Sequence, residues 1–134
     1  MKLTKTVKTM LAVALCAVGL SAMAGKMTNV PYVDKDGVEQ KVAEAQVIDS
    51  STKKLINGGW YVVTGDVTVP ASIYIYSGTA NLILADGARL RCIGDDVPGV
   101  EIPAGKSLTV YGQKLRTGAL DAGGNYANAP GIGP

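Results

Sequence analysis

The sequence predicts an all-β fold built from short strands. From residue 60 onward, brief runs of aliphatic, aromatic and β-branched residues are separated by Gly, Asp, Pro and Asn, the residues that turns favour. No window of useful length has the 3.6-residue apolar periodicity of an amphipathic helix. Several of the short runs also recur in the same order at a nearly constant spacing, which indicates a repeat architecture.

A signal peptide precedes the β-rich region. Residues 1–8 carry three Lys and no acidic residue, residues 10–20 are apolar, and residues 22–24 have the small-x-small sequence Ala-Met-Ala. The apolar run is shorter than the ~20 residues that span a bilayer as a helix. We therefore expect cleavage near Ala24 and Gly25, no membrane span after processing, and a secreted, periplasmic or cell-surface location.

Cys16 raises the alternative of a lipoprotein. However, Leu15 stands where a small residue would precede a lipidated cysteine, and the apolar run continues past Cys16. We favour a cysteine within a removed leader. Cys92 is then the one cysteine of the mature chain, so no disulfide can form within it.

Charge and composition argue against several functions. Three of the 13 Lys and Arg lie in the leader and none of the 11 Asp and Glu does. The mature chain therefore has ten basic and eleven acidic side chains, a net charge of −1, and no basic patch that indicates nucleic acid or an anionic membrane. The sequence contains no His, which excludes Ser-His triads, His general bases and imidazole zinc sites.

The mature sequence divides into two segments where its composition changes. Residues 25–56 predict an N-terminal hairpin or cap segment. The Asn-Gly-Gly turn at residues 57–59 opens a second segment of short strands, residues 57–134. The predicted strands of this second segment are residues 60–63, 66–69, 72–76, 81–84, 89–93, 99–102, 107–111 and 118–121.

The hairpin prediction depends on the turn at residues 34–37, Asp-Lys-Asp-Gly. Two β-type runs, residues 30–33 and 38–42, flank this turn. Asp34 and Asp36 also resemble the start of a calcium loop, but the glycine follows at once and the later ligand positions are not filled. We therefore predict a turn and no metal site.

The spacing of the strands predicts a solenoid. Ile73 and Ile75 match Val100 and Ile102 at an offset of 27 residues. Leu82 and Leu84 match Leu108 and Val110 at an offset of 26, and residues 88–90 match residues 118–120 at an offset of 30. Three strands that recur in order suggest about two stacked turns of a β-solenoid. The alternative is a β-sandwich or an open meander.

Alternation with a period of two residues assigns the side chains to faces. Cys92 falls on the inner face, where we expect a packed, inert side chain. The other inward side chains are predicted to be Ile73, Ile75, Leu82, Leu84 and Leu90, and the outward ones Tyr74, Tyr76, Arg89 and Arg91.

Four phrases in the chain resemble the opening turns of secreted bacterial, pectate-lyase-like, right-handed parallel β-helix proteins. They are GWYVVTGDVTV at residues 59–69, NLILADGARL at 81–90, SLTVYGQ at 107–113 and APGIG at 129–133. The resemblance covers roughly residues 31 to 134. It implies a right-handed parallel β-solenoid and a surface or carbohydrate-associated role, and it assigns no catalytic residue, cofactor or metal.

A solenoid that stops at Pro134 leaves its last turn without a stacked neighbour. We therefore expect the chain to be the N-terminal part of a longer solenoid. We also expect self-association through the open end, because unpaired strand edges can template pairing. The inward side chains expected to lack a neighbour are Val100, Ile102, Leu108, Val110 and Leu120.

Three functions remain open. The first is a non-catalytic structural segment of a surface stalk or adhesin. The second is binding of a polysaccharide or cell-surface glycan through Tyr74 and Tyr76, which share one outer face, with Trp60, Tyr61 and Tyr111 as candidates on other outer faces. The third is a fragment of a polysaccharide lyase, which would use clustered acids and an arginine, although no motif with mechanistic spacing is present. The groups weighed for the lyase are Asp86, Asp95, Asp96, Arg89 and Arg91.

Overall fold

The computed structural model describes residues 25–56, 59–125 and 129–134, and within them all regular structure is β-strand. The predicted leader, its Ala22–Ala24 cleavage sequence and Cys16 lie outside the described residues. The strands are β1 (Lys26–Val33), β2 (Glu39–Val47), β3 (Lys54–Leu55), β4 (Trp60–Val63), β5 (Asp66–Val69), β6 (Ile73–Ile75), β7 (Thr79–Leu84), β8 (Arg89–Gly94), β9 (Val100–Glu101), β10 (Ser107–Gly112), β11 (Ala119–Gly124) and β12 (Ile132–Gly133).

The strands form three sheets, which we name A, B and C. Sheet A has the order β1-β2-β4-β7-β10, sheet B the order β12-β9-β6-β3, and sheet C the order β11-β8-β5. Within the described residues only β1 and β2 pair antiparallel, and every other pair is parallel. The prediction of an all-β protein is therefore confirmed.

From β4 onward the chain visits the three sheets in the order A, C, B three times. We call each such visit a pass. Leu82 in the second pass pairs with Tyr61 in the first and with Val110 in the third. Successive passes are thus 21 and 28 residues apart in sheet A. The first pass was not predicted, because its short connections break the spacing of 26 to 30 residues that marked the later two.

The core lies between the three sheets. All six side chains predicted to point inward are buried there, and Cys92 is fully covered. Of the four predicted to point outward, Arg89, Arg91 and Tyr76 are exposed and Tyr74 is half-buried. The prediction that Tyr61 lies on an outer face is wrong: its side chain is 2% exposed and packs in the core, where its hydroxyl accepts a hydrogen bond from the N–H of Ile56 at 2.7 Å.

The N-terminal hairpin is confirmed by the antiparallel pairing of β1 and β2. Asp34 builds its turn, because the carboxylate accepts hydrogen bonds from the N–H groups of Asp36 and Val38, both at 2.9 Å, and from Gln40 Nε2 at 3.0 Å. The hydrogen bond from Gln40, followed by that from Val38, lowers the pKa of Asp34 from its ordinary value. The carboxylate thus acts as a turn residue.

The hairpin covers the outer face of sheet A. Val62 of β4 and Ile83 of β7 point away from the main core, and both are fully buried beneath Val30 of β1 and Ala45 of β2. Sheet A is therefore buried on both faces. Continuous apolar runs such as WYVV at residues 60–63 are typical of such a sheet.

Three details of the predicted strands are corrected. In sheet A the offset between the last two passes is 28 and not 26, so Leu82 faces Val110 and Leu84 faces Gly112. Val100 does have a stacked neighbour, since Ile132 of β12 pairs with it. The two-residue strands β3 and β12 were not predicted.

Burial should make the Cys92 thiol unreactive. Burial, with a smaller contribution from the Asp121 carboxylate, raises the pKa of the thiol from 9.0 to about 11. We expect a thiol-specific reagent at pH 8 to label the folded chain far more slowly than the chain in denaturant, because the thiolate is the reactive form. Equal labelling rates in the two states would contradict the packed position of Cys92.

The same shift sets a pH dependence. The thiol contributes stability that is fully present below pH 9 and is lost as the pH rises toward 11, because the unfolded thiol ionises first. Denaturant midpoints measured between pH 8 and 11, with Cys92→Ala as reference, should isolate this contribution.

Candidate functional site

The tyrosines proposed to contact glycans lie at the outer face of sheet B. Tyr74 pairs with Lys54 on one side and with Glu101 on the other, and it is half-buried. Tyr76 follows β6, is 58% exposed, and has Lys54 Nζ at 5.3 Å from its ring centroid. The cation partly occupies the ring face that a sugar would stack on, so the exposed aromatic surface here is mainly that of Tyr76.

A second aromatic group joins the hairpin to sheet A. The ring of Tyr32 lies 4.8 Å from that of Trp60 and 4.9 Å from that of Tyr111, and Trp60 stacks on Tyr111 at 5.2 Å. All three rings are half-buried. Contacts of this kind contribute about 0.5 to 1.5 kcal/mol each beyond area burial. The cluster therefore holds the hairpin against the sheet.

The arginines considered for a lyase lie on the outer face of sheet C. Arg91 Nε donates to Asp121 Oδ2 at 3.2 Å, and Arg89 Nη2 lies 3.8 Å from the same oxygen. The two guanidinium groups thus share one carboxylate on an exposed face. Asp66 pairs in register with Arg89 and with it lines a shallow groove of about 150 Å³. Exposed ion pairs of this kind contribute little to stability.

The acids considered for a lyase do not converge. The carboxylate of Asp86 accepts a hydrogen bond from the N–H of Leu115, at 3.0 Å to Oδ2 and 3.2 Å to Oδ1. Asp95 accepts one from Asn125 Nδ2 at 2.8 Å, and Asp96 is exposed in the neighbouring turn. Asp86 and Asp95 therefore join successive passes. Among the described residues no group of three or more acidic, Cys or His side chains could hold a metal ion.

A cleft of about 310 Å³ lies where the hairpin turn meets the connection between β10 and β11. Its wall includes Leu84, Val110 and Tyr111, and Arg116 lies at its edge with a left-handed φ of 56°. Part of the volume arises because Gly112 occupies the position above Leu84, where a larger residue would fill the space. No group arranged for catalysis faces it.

The most distinctive feature of the surface is the difference between the two ends of the stacked sheets. At the end formed by β3 and β5, Leu55 and Val69 are 1% and 0% exposed. At the end formed by β10, β11 and β12, Val110 is 43% and Ile132 is 50% exposed, and Leu120 is half-buried. We name the second end the open end. It exposes the inner apolar row together with the free edges of three strands.

The open end could be predicted only in part. Leu108, Val110, Leu120 and Ile102 were expected to lack neighbours, and each is partly or well exposed. Val100 was wrongly included, as its pairing with Ile132 shows.

In the described residues no helix is long and apolar enough to cross a membrane. No protein-family model, curated protein or solved structure matches this chain.

Proposed function

We propose that the three sheets are the faces of a right-handed parallel β-solenoid. On this proposal the chain is an exported, non-catalytic structural segment of a surface stalk or adhesin. One observation carries it: the order A, C, B recurs three times with in-register parallel pairing around one apolar core. Right-handed crossovers are the rule for parallel strands.

A structural role is supported by what the polar side chains do. Asp86, Asp95 and Gln113 spend their polar atoms on backbone or side chains of adjacent parts of the chain, and Asp121 bridges two arginines. Residues that a lyase would need for catalysis are thus accounted for by contacts that join one pass to the next. The proposed role requires stacking and no reacting group.

Removal of one whole pass tests the solenoid. Deletion of residues 79–106 would join Gly78 to Ser107 and place β10 on β4, β11 on β5 and β12 on β6. In a solenoid each turn contacts only its neighbours, so we expect a folded β protein that unfolds cooperatively with reduced stability. Circular dichroism and urea denaturation measure both properties.

Deletion of residues 79–92 is the matched control. It removes half a pass and brings strands of different sheets into the wrong order, so this variant should not fold. If the whole-pass variant is as disordered as the half-pass variant, the solenoid proposal is wrong.

Export is tested with the full chain and its leader. The intact mass of material recovered outside the cytoplasm should begin at or near Gly25, because the small-x-small sequence ends at Ala24. Mature material that retains Met1 would contradict export by cleavage.

Glycan binding is a second candidate, favoured by the 58% exposure of Tyr76 on an outer face. We expect any retention on polysaccharide columns to be lost in a Tyr74→Ala/Tyr76→Ala variant with an unchanged β spectrum. Tyr32→Ala serves as a comparison, since Tyr32 belongs to the cluster on sheet A. Retention that survives the double change would exclude these tyrosines as the site.

A further inference from the structure

We propose that two copies of this chain pair through the free edge of β10. The two β10 strands run antiparallel about a two-fold axis and join the two five-stranded A sheets into one sheet of ten strands. The proposal rests on the solenoid proposed above for the meaning of the two ends. It adds which edge pairs, in which direction, and why the assembly stops at two copies.

The difference between the two ends limits the assembly. In a head-to-tail filament the open end would meet the end formed by β3 and β5, where Leu55 and Val69 are already fully covered. That end therefore offers no apolar row to bury. The partner with matching apolar surface and free strand edges is a second open end, and an interface between identical surfaces is closed by a two-fold axis.

Of the three free edges at the open end, β10 is best suited to pairing. β12 has only two residues, Ile132–Gly133. β11 carries the exposed Asp121 and ends in two glycines, so a pair of β11 strands would bring two carboxylates together at the interface. β10 has six residues, SLTVYG, with no charge and no proline. Natural edge strands usually carry such features to prevent pairing.

The hydrogen-bonding groups of β10 define the register. The N–H of Ser107 bonds the carbonyl of Gly78 at 2.8 Å, on the side of β7. Because alternate residues of a strand direct these groups to opposite sides, those of Leu108 and Val110 face the free edge. Leu108 of each copy can therefore exchange two hydrogen bonds with Val110 of the other.

This register places Thr109 opposite the second copy's Thr109 as a non-hydrogen-bonded pair. Such pairs have the closest side chains of an antiparallel ladder. Thr109 is exposed and lies outside the core. Leu108 and Val110 of both copies meet on the inner face, where they cover each other. Thr109 is thus a position where charge can be added at the two-fold axis without changing the core.

The experiment measures the mass of the mature chain by sedimentation equilibrium, and the expected species is a dimer. Thr109→Lys and Thr109→Glu should each raise the dissociation constant about fivefold to tenfold, because like charges directly opposite each other oppose strand pairing. A mixture of the two variants should form heterodimers, which native mass spectrometry detects when the Glu variant is labelled with ¹⁵N. Thr68→Glu, an exposed position on β5, is the control and should leave the dimer intact.

Several outcomes would overturn the pairing: a monomer at hundreds of micromolar, a growing series of oligomers, or lysine and glutamate variants that associate like the parent. The one-pass deletion separates this proposal from the solenoid. If that deletion folds while the parent chain is monomeric, the solenoid stands and the pairing is wrong. If the deletion fails to fold while the mixed variants form heterodimers, the pairing stands and the solenoid is wrong.

Discussion

Replacement of Leu90 by Ala is expected to lower the free energy of unfolding by about 2 to 5 kcal/mol. Leu90 is fully buried and lies in register between Val67 of the first pass and Leu120 of the third. Truncation removes buried methyl groups and leaves a cavity that strands on both sides prevent from collapsing. Because a small domain has only about 5 to 15 kcal/mol of stability, the effect should be plain in urea denaturation.

Leu120→Ala is the matched comparison. Leu120 has the same side chain and the corresponding position one pass later, but it is only half-buried at the open end. We expect less than half the loss seen for Leu90. The measurement belongs at a protein concentration where the chain is monomeric, since pairing of open ends would cover Leu120. Equal losses in the monomer would mean that the last pass is as well covered as the middle one.

Local chemistry explains which elements could be predicted. The turn at residues 34–37 is specified by side chains within it, since the Asp34 carboxylate binds the N–H groups of the turn. β4, β5 and β10 are bounded by turn residues and lie within about a residue of their predicted limits. β3 and β12, by contrast, have two residues each, too few for alternation to be visible. They exist because a neighbouring strand offers them hydrogen bonds.

Register was predictable only up to a shift of two residues. Offsets of 26 and 28 both bring Leu108 and Val110 over inward positions of β7, because side chains repeat with a period of two. The observed pairing puts Leu108 on Ala80, Val110 on Leu82 and Gly112 on Leu84. That choice follows from the length of the connections to the other sheets, which the apolar pattern does not report.

The faces of the strands were predictable where the alternation was used. Tyr61 shares a face with Val63, so the period of two already indicates an inward side chain. A buried tyrosine needs a partner for its hydroxyl, and the N–H of Ile56 provides it. The burial of Ile83 depends instead on where the hairpin folds back. Only the continuous apolar runs in sheet A signalled that both faces are covered.

The candidate sites differ in how far the sequence could reach. Tyr74 and Tyr76 were placed on the correct outer face, but Lys54 beside the Tyr76 ring comes from β3, a strand that the sequence did not indicate. The open end was expected from the repeat pattern. Its contrast with the opposite end was not, because it depends on Ile48 and Leu55, which enter the main core from the segment before the first pass.

Replacement of Gly99 by Ala should be among the most damaging single changes in the chain. A Cβ at Gly99 would meet the carbonyl oxygen of Cys92, and it would lie 2.7 Å from the N and 2.8 Å from the O of Gly123. All three are backbone atoms of β8 and β11, two strands that pair with each other, so no side-chain rotation can relieve the contact. We expect a loss of at least about 3 kcal/mol and a fall in Tm of about 10 °C or more.

Gly123→Ala is the matched control, because it adds the same methyl group to the strand that Gly99 approaches. Nothing lies within 4 Å of a Cβ built on Gly123, and its φ is not left-handed. Since glycine within a strand costs about 0.5 to 1 kcal/mol relative to alanine, this variant should be neutral or slightly more stable. Thermal unfolding of the two variants side by side decides the matter. If Gly99→Ala melts within a degree or two of Gly123→Ala, the connection between β8 and β9 does not pack against the third pass as closely as the structure indicates.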